Sequence, residues 1–437
     1  MSVNTNKLFQ GDRVIWVVFF FLCMISLIEV YSAASTLSYK SGDFTAPLFK
    51  QAIFLGVGTV IVVLVHNIPC RFFKIIPVLG WPLAFFLLAL TLFWGVRENG
   101  GSRWLPLFGF QFQPSELAKG VVITTVALIL GAMQREDGAD RKAMKYILLA
   151  TLPICGLIVT ENLSTTAILF GVVCMMMFIG RVPFIQLAKL FGVIIVSLAI
   201  FISLAMTVFK NAPADSALHR FDTWASRIER FVGVQDEETV DGKTAGNESQ
   251  EEEKFNLKEN AQVGHAYIAI ASSNIIGRMP GNSVERDFLS QAFSDFIYAI
   301  IIEEMGLFGG GFVAFLYIVL LFRTGRIASR CERNFPAFLA MGLALLLVFQ
   351  ASINMMVAVG LFPVTGQPLP LISRGGTSTL ITCAYVGMIL SVSRYARKNT
   401  DEKEISTLFA GGKNKSMDIQ AADEIAPEAF TDDRGLV

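Results

Sequence analysis

Apolar runs long enough to cross a bilayer recur about ten times along the chain, at 14–33, 50–66, 75–95, 115–134, 146–160, 164–180, 187–209, 296–322, 336–358 and 377–393. A hydrocarbon layer of ~30 Å asks for ~20 helical residues, fewer where flanking side chains reach the interface. The fifth and sixth runs are short and meet at Glu161-Asn162, which predicts a tight helical hairpin. The pattern predicts an all-α polytopic membrane protein with about ten transmembrane helices. The first run leads into Tyr31-Ser32-Ala33-Ala34-Ser35, similar to a signal-peptidase site. Its apolar core of about 17 residues exceeds the ~7–15 of a signal peptide, so it is read as an uncleaved span with Glu29 at the interface.

The run 296–322 departs from the others. A polar approach ends at Asp295, and Glu303 and Glu304 then fall inside the apolar stretch before it stops at Arg323. A continuous helix carries those glutamates ~12 Å beyond Asp295 at ~1.5 Å per residue, turning Glu303 about 80° and Glu304 about 180° from it. The three carboxylates therefore cannot serve one site. Ionisable groups in hydrocarbon are costly and mark function by default. Asp295 is the accessible one; the glutamates are expected to brace its helix through a buried cation such as Lys119 or through backbone amides. The bland alternative makes Asp295 only the N-cap of this helix.

Composition and charge agree with the membrane class. The chain is 53% hydrophobic and 16% charged, with 37 Phe in 437 residues. Its formal charge of zero gives no pointer to nucleic acid. Arg71 and Lys74, then Arg135, Arg141, Lys142 and Lys145, then Arg181 and Lys189, then Arg323, Arg326, Arg330 and Arg333, and finally Arg394, Arg397 and Lys398 occupy alternate connections. The positive-inside rule places these and both termini in the cytoplasm. Segments 34–49, 96–114, 161–163, 210–295 and 359–376 then face outward. The six cysteines lie in apolar runs or on inner loops and read as structural thiols, without metal-type spacing.

Residues 1–398 thus read as one ten-span domain with a large external loop, 210–295, between helices seven and eight, and 399–437 as a polar, disordered cytoplasmic tail. Within the loop, Phe221, Trp224, Ile228 and Phe231 recur at helical spacing among arginines, predicting a surface amphipathic helix over 217–233. The acidic insert 236–260 has no apolar period and reads as disordered. Residues 264–276 turn apolar again but are too short to span.

Three outward clusters could carry chemistry. In the first, Gly100-Gly101-Ser102-Arg103-Trp104 leads to Gln113-Pro114-Ser115-Glu116-Leu117-Ala118-Lys119. Pro114 suits a first helical turn, and Glu116 complements the helix dipole and shares a face with Lys119. The pair either fixes the fourth helix or, with Arg103, forms an anion-attracting mouth. In the second, Pro363 to Ser378 holds Pro368 and Pro370, so its backbone is irregular; it is either a plain external loop or the lining of a wet cavity. Asp295 and its helix are the third. These clusters alone fit a transporter or an enzyme acting on a lipid-linked substrate.

Together the clusters resemble the SEDS family (shape, elongation, division and sporulation), the bacterial FtsW, RodA and SpoVE proteins, over about residues 14–398. Arg103-Trp104, Gln113 to Lys119, Ser294-Asp295-Phe296-Ile297-Tyr298-Ala299 with Glu303-Glu304, and Pro363 to Ser378 with Asn354 upstream carry the resemblance. It implies a peptidoglycan glycosyltransferase that polymerises lipid II, the undecaprenyl-pyrophosphate-linked disaccharide peptide, into β-1,4 strands at the outer face of the cytoplasmic membrane. A class B penicillin-binding protein transpeptidase and other division proteins are the implied partners. Gly281-Asn282-Ser283 followed by Asp287-Phe288-Leu289 resembles the division branch, implying a place at the septum; a role in elongation is the alternative.

The resemblance implies Asp295 as general base on the attacking GlcNAc 4-hydroxyl. It implies substrate binding by Arg103, Trp104, Gln113, Ser115, Glu116, Lys119, Thr365, Ser373 and Arg374, with Arg103, Lys119 and Arg374 facing the leaving pyrophosphate. Glu303, Glu304 and Asn354 are implied supports. No cofactor is implied with certainty, and a divalent cation, magnesium or manganese, stays open. The chain departs from the family pattern at Asn162-Leu163-Ser164-Thr165, where Asp is usual, at Ser273-Asn274, at Gly277-Arg278-Met279-Pro280-Gly281, and at Arg374, where Tyr or Phe is usual. The rival readings are a lipid II flippase and a non-catalytic scaffold for division proteins.

Overall fold

The computed structural model describes residues 10–33, 46–98, 101–107, 110–207, 261–289 and 293–396. The expected surface helix at 217–233, the insert 236–260 and the tail 399–437 lie outside them.

The helices are α1 (Arg13–Ala33), α2 (Ala46–Asn67), α3 (Trp81–Trp94), α4 (Pro114–Ala132), α5 (Ala143–Val159), α6 (Leu163–Ile179), α7 (Phe184–Thr207), α8 (Ala261–Ser272), α9 (Ile297–Ser329), α10 (Asn334–Ala358) and α11 (Thr377–Ala396). Seven helical segments among the described residues have the length and apolarity to cross a membrane, and α5, α6 and the Phe184–Ser197 part of α7 are shorter apolar helices. All ten predicted runs fall on these elements. The 96–114 connection, read from sequence only as a loop, folds into three antiparallel strands, β1 (Val96–Glu98), β2 (Gly101–Leu107) and β3 (Phe110–Phe112). Trp104 pairs with Val96 and Pro106 with Gln111. The segment's Trp and Phe suit strands, but the apolar positions of β2 do not alternate, so no period announces it.

Burial separates a centre from a rim. In α4 and α11, 72% of the spanning window is buried, against 22% in α2 and in the segment ending with α3. The rim helices turn Phe49, Ile53, Val60, Leu64 and Phe86 outward, as a lipid-facing surface should. Lipid tails leave no hydrophobic drive between helices, so close backbone approach and polar contacts hold the centre. At the crossing of α4 and α11, Gly120 donates its N–H to the Tyr385 hydroxyl at 2.9 Å, and a Cβ there would sit 2.4 Å from the Tyr385 ring. Five of the six cysteines are buried, and all six are free thiols.

Contacts gather the basic connections at one end. Arg323 pairs with Asp12, Arg135 with Asp140, Ala139 donates to the Arg181 carbonyl at 3.2 Å, and Arg394 reaches Asn67 at 3.2 Å.

Helix α9 differs from its prediction. It runs on to Ser329 and is broken at Gly306 (φ 70°, ψ −175°). The break frees two carbonyls and two amides where water is scarce, so each needs a protein partner. Residues 274–279 supply all four. Arg278 and Met279 donate to the carbonyls of Glu303 and Glu304 (3.0 and 2.8 Å), and Leu307 and Phe308 donate to those of Asn274 and Ile275 (3.4 and 3.3 Å). Gly277 (φ 80°) lies against Gly306. A Cβ on Gly306 would come 2.2 Å from the Ile275 oxygen, and one on Gly277 2.3 Å from that of Glu304.

Gly306→Ala therefore faces a left-handed φ and a backbone clash together. We expect it to lower the stability of the purified chain by at least ~1–3 kcal/mol in thermal unfolding. Gly311→Ala, with nothing within 4 Å of the new Cβ, should stay within about 0.5 kcal/mol of wild type.

Candidate active site

Asp295 sits in a turn ahead of α9, and the N-cap of that helix is Phe296, with no side-chain cap. The N-cap alternative for Asp295 therefore does not hold. Its side chain is half-buried, and Ser294 donates its hydroxyl to Asp295 Oδ1 at 2.9 Å. Asn354 of α10 fixes the backbone beneath it, donating one amide N–H to the Asp295 carbonyl (2.9 Å) and the other to that of Gln367 (2.7 Å).

The second half of the site is the connection between α10 and α11. Its backbone is non-helical, with Gly366 and Leu371 at φ 64° and 68°, yet Leu369, Leu371 and Ile372 are 3% exposed or less. The plain external loop is excluded: this segment passes through the protein. Neighbouring helices satisfy its carbonyls. Ser26 of α1 donates to Ile372 at 2.7 Å, Tyr317 of α9 to Pro370, and Gln350 of α10 to Pro368 at 3.1 Å. Gln367 donates to Thr165 Oγ1 at 2.9 Å. Ser373 closes the segment onto Asp295: its hydroxyl donates to the Ser294 carbonyl (2.6 Å) and accepts from the Leu369 N–H (2.8 Å). The Arg374 N–H meets the Phe293 carbonyl (3.1 Å), and its guanidinium stacks 5.5 Å from the Phe293 ring. Burial pulls the Arg374 pKa down, but arginine keeps its charge at any working pH. Thr365 is buried in the same segment at 6% exposure.

The Gln113–Lys119 cluster joins from below. Pro114 opens α4 as expected, and Lys119 Nζ lies 2.8 Å from both Glu116 Oε1 and Gln350 Oε1. Lys119 is 0% exposed and Glu116 2%. The expectation of Lys119 at an open, anion-attracting mouth is corrected: its ammonium is enclosed and engaged, and it acts on the site through Gln350 and Pro368. Tyr385 donates to the Glu116 carbonyl, and Ser115 is buried at the same turn. Gln113 and Trp104 are partly exposed. Arg103 reaches the Glu161 carbonyl at 3.4 Å, beside Asn162, whose Oδ1 caps α6 by accepting from Ser164 and Thr165 (3.0 and 3.2 Å). Asn thus fills the capping position where the family pattern has Asp.

Of the two partners expected for Glu303 and Glu304, Lys119 is not one, being taken by Glu116 and Gln350, while backbone amides do hold both. Glu303 accepts from the Ser283 hydroxyl, from the Val284 N–H at 2.9 Å and from Arg278 at 3.5 Å, while Glu304 accepts from Ser32 and from the Ser283 N–H at 3.3 Å. Glu29, expected at the interface, is buried against other helices. Gln350, Gln367, Thr165 and Tyr385 were not singled out from sequence. The Gln350–Asn354 spacing, i and i+4 inside an apolar helix, was the signal that could have found the first of them.

Among the described residues, no group of three or more His, Cys, Asp and Glu side chains is arranged to hold a metal ion. The site therefore offers one accessible carboxylate on rigid backbone, with Arg374 in the segment that closes against it.

Comparison with known proteins bears on the fold and the family. The chain is 30% identical to the probable peptidoglycan glycosyltransferase FtsW of Nitrosococcus halophilus over 82% of its length and 85% of that protein's. It is 28% identical to the stage V sporulation protein E of Bacillus subtilis over 90% of this chain and all of the other. Among solved structures, a chain of a peptidoglycan synthase complex that coordinates polymerization and crosslinking superposes with a TM-score of 0.67 at 24% identity, covering 88% of this chain and 98% of that one. The rod shape determining protein RodA of Thermus thermophilus gives 0.58 at 24%, covering 88% and 97%. These solved structures support the fold. The family profile described as "Cell cycle protein", FtsW/RodA/SpoVE, matches residues 12–398, and the chain belongs to that family.

Proposed function

We propose that this membrane protein is a peptidoglycan glycosyltransferase that polymerises lipid II at the outer face of the cytoplasmic membrane, with Asp295 as general base. The observation that carries the reading is the mounting of Asp295. Its carboxylate stands half-exposed while Asn354 and Ser373 hold the backbone on both sides of it. A hydroxyl is a weak nucleophile, and a positioned carboxylate that takes its proton contributes on the order of 10²–10⁴-fold. Asp295 would take the proton of the attacking GlcNAc 4-hydroxyl as its oxygen bonds to the anomeric carbon of the second lipid-linked sugar and the bond from that carbon to the pyrophosphate breaks. Arg103 and Arg374, both partly exposed, are the cations for that leaving group. The basic connections gathered at the other end support an orientation with Asp295 outside. A class B penicillin-binding protein transpeptidase is the proposed partner, and the division branch the proposed role, at the septum.

Asp295→Asn should reduce polymerisation of purified lipid II by about 10²–10⁴-fold and leave the thermal unfolding midpoint unchanged; full activity would refute Asp295 as the base.

Lys119 separates holding from direct binding. Lys119→Met leaves Glu116 buried without its cation, and we expect a loss of about 3–5 kcal/mol in stability. Glu116→Gln combined with Lys119→Met should recover most of that stability together with polymerisation. A double variant that folds but stays inactive would instead place Lys119 against the pyrophosphate.

A further inference from the structure

Glu29 and Ser32 are three residues apart on α1 and share one face of it. Ser32 donates its hydroxyl to Glu304 Oε1. Glu29 therefore lies one helical turn from the residue that holds the Glu304 carboxylate, on the same face of α1. Both glutamates are 0% exposed, yet neither carboxyl oxygen of Glu29 has a hydrogen-bond partner, and nor does Glu304 Oε2.

Among the described residues, the neighbours do not supply one. Glu303 is held by Ser283, Val284 and Arg278. Arg286 Nη1 donates to Ser32 Oγ and to the carbonyls of Ser32 and Gly281. On α2, Gln51 gives its amide N–H to Ser26 at 2.8 Å. Glu285 pairs with His265 at 2.7 Å, and the exposed Asp287 lies 4.0 Å from Arg286. Three carboxylates, Glu29, Glu303 and Glu304, thus face two guanidiniums, Arg278 and Arg286. A buried anion without a partner is among the costliest arrangements a fold can hold, so the pair calls for one more positive charge.

We propose that Glu29 and Glu304 form a binding site for one small monovalent cation, a proton or a sodium ion, held between Glu29 and Glu304 Oε2. Two carboxylates are drawn together through a shared charge and repel without it. Occupancy therefore ties α1 to the outer part of the broken helix that follows Asp295. Two carboxyls fit a single charge, and no group of three or more acidic, His or Cys side chains is built for a metal among the described residues. The site does not depend on the glycosyltransferase reading, since its test reads stability rather than activity.

The test measures the thermal unfolding midpoint of the purified full-length chain, wild type against Glu29→Gln. One series varies pH in choline chloride, and another varies sodium against choline at fixed pH and ionic strength. Glutamine removes one charge and can donate an N–H to Glu304. The wild-type midpoint should rise by a few degrees with sodium if the cation is sodium. If it is a proton, the folded state binds more protons than the unfolded one, so the midpoint should fall as pH rises and ignore sodium. Glu29→Gln should fold and lose whichever dependence wild type shows. If the two proteins respond alike to both series, the proposal is overturned. Should Glu29→Gln not fold, Glu304→Gln removes the same charge from the other side and must abolish the same dependence for the proposal to stand.

Discussion

Between α10 and α11 the backbone leaves helical geometry inside the protein, where the carbonyls it frees cannot turn to bulk water. Most of what is unusual in this structure follows from meeting that demand. Gln350 and Asn354, one turn apart on α10, Ser26 on α1 and Tyr317 on α9 all donate to carbonyls of this stretch or of Asp295. Because the donors come from several helices, the loop cannot shift without disturbing all of them. A buried ion pair, Lys119 with Glu116, stands behind Gln350 and fixes its amide in turn. Such pairs add little net stability by themselves; here the pair anchors a chain of contacts that ends at the backbone of the candidate site.

The break at Gly306 is the same constraint met by backbone instead of side chains. Residues 274–279 take over the four hydrogen bonds that the helix gives up, and the Glu303 and Glu304 carboxylates fasten residues 283–284. Asp295 is thus set from two directions, by the α10–α11 connection on one side and by the splinted start of α9 on the other. Its side chain remains half-exposed while the surrounding backbone is held.

The long apolar runs were legible in sequence because hydropathy over a bilayer's length admits few alternatives, and Asp295 stood out because a charge at the edge of such a run is rare. The partners of the charges were not legible. Glu303 and Glu304 are held by Ser32, Ser283 and Val284, residues on other elements that nothing in the local sequence names; Gly306 is one of several glycines in its stretch, and nothing local marks it as the one in left-handed geometry. Gln367 and Tyr385 look like ordinary interruptions of apolar sequence, since an amide or phenol gains its role only from a group hundreds of residues away or on another helix. The strands at 96–112 were missed because β1 and β3 are three residues long and β2, Gly101–Leu107, does not alternate apolar and polar positions.

The central claim is that the α10–α11 connection positions Asp295 rather than merely binding substrate. The most direct measurement is kcat and KM for lipid II polymerisation by Asn354→Leu, which leaves the carbonyls of Asp295 and Gln367 without their donor. The expected result is a fall in kcat on the order of 10²-fold with KM little changed, as for a displaced catalytic group. An unchanged kcat in a folded variant would contradict it.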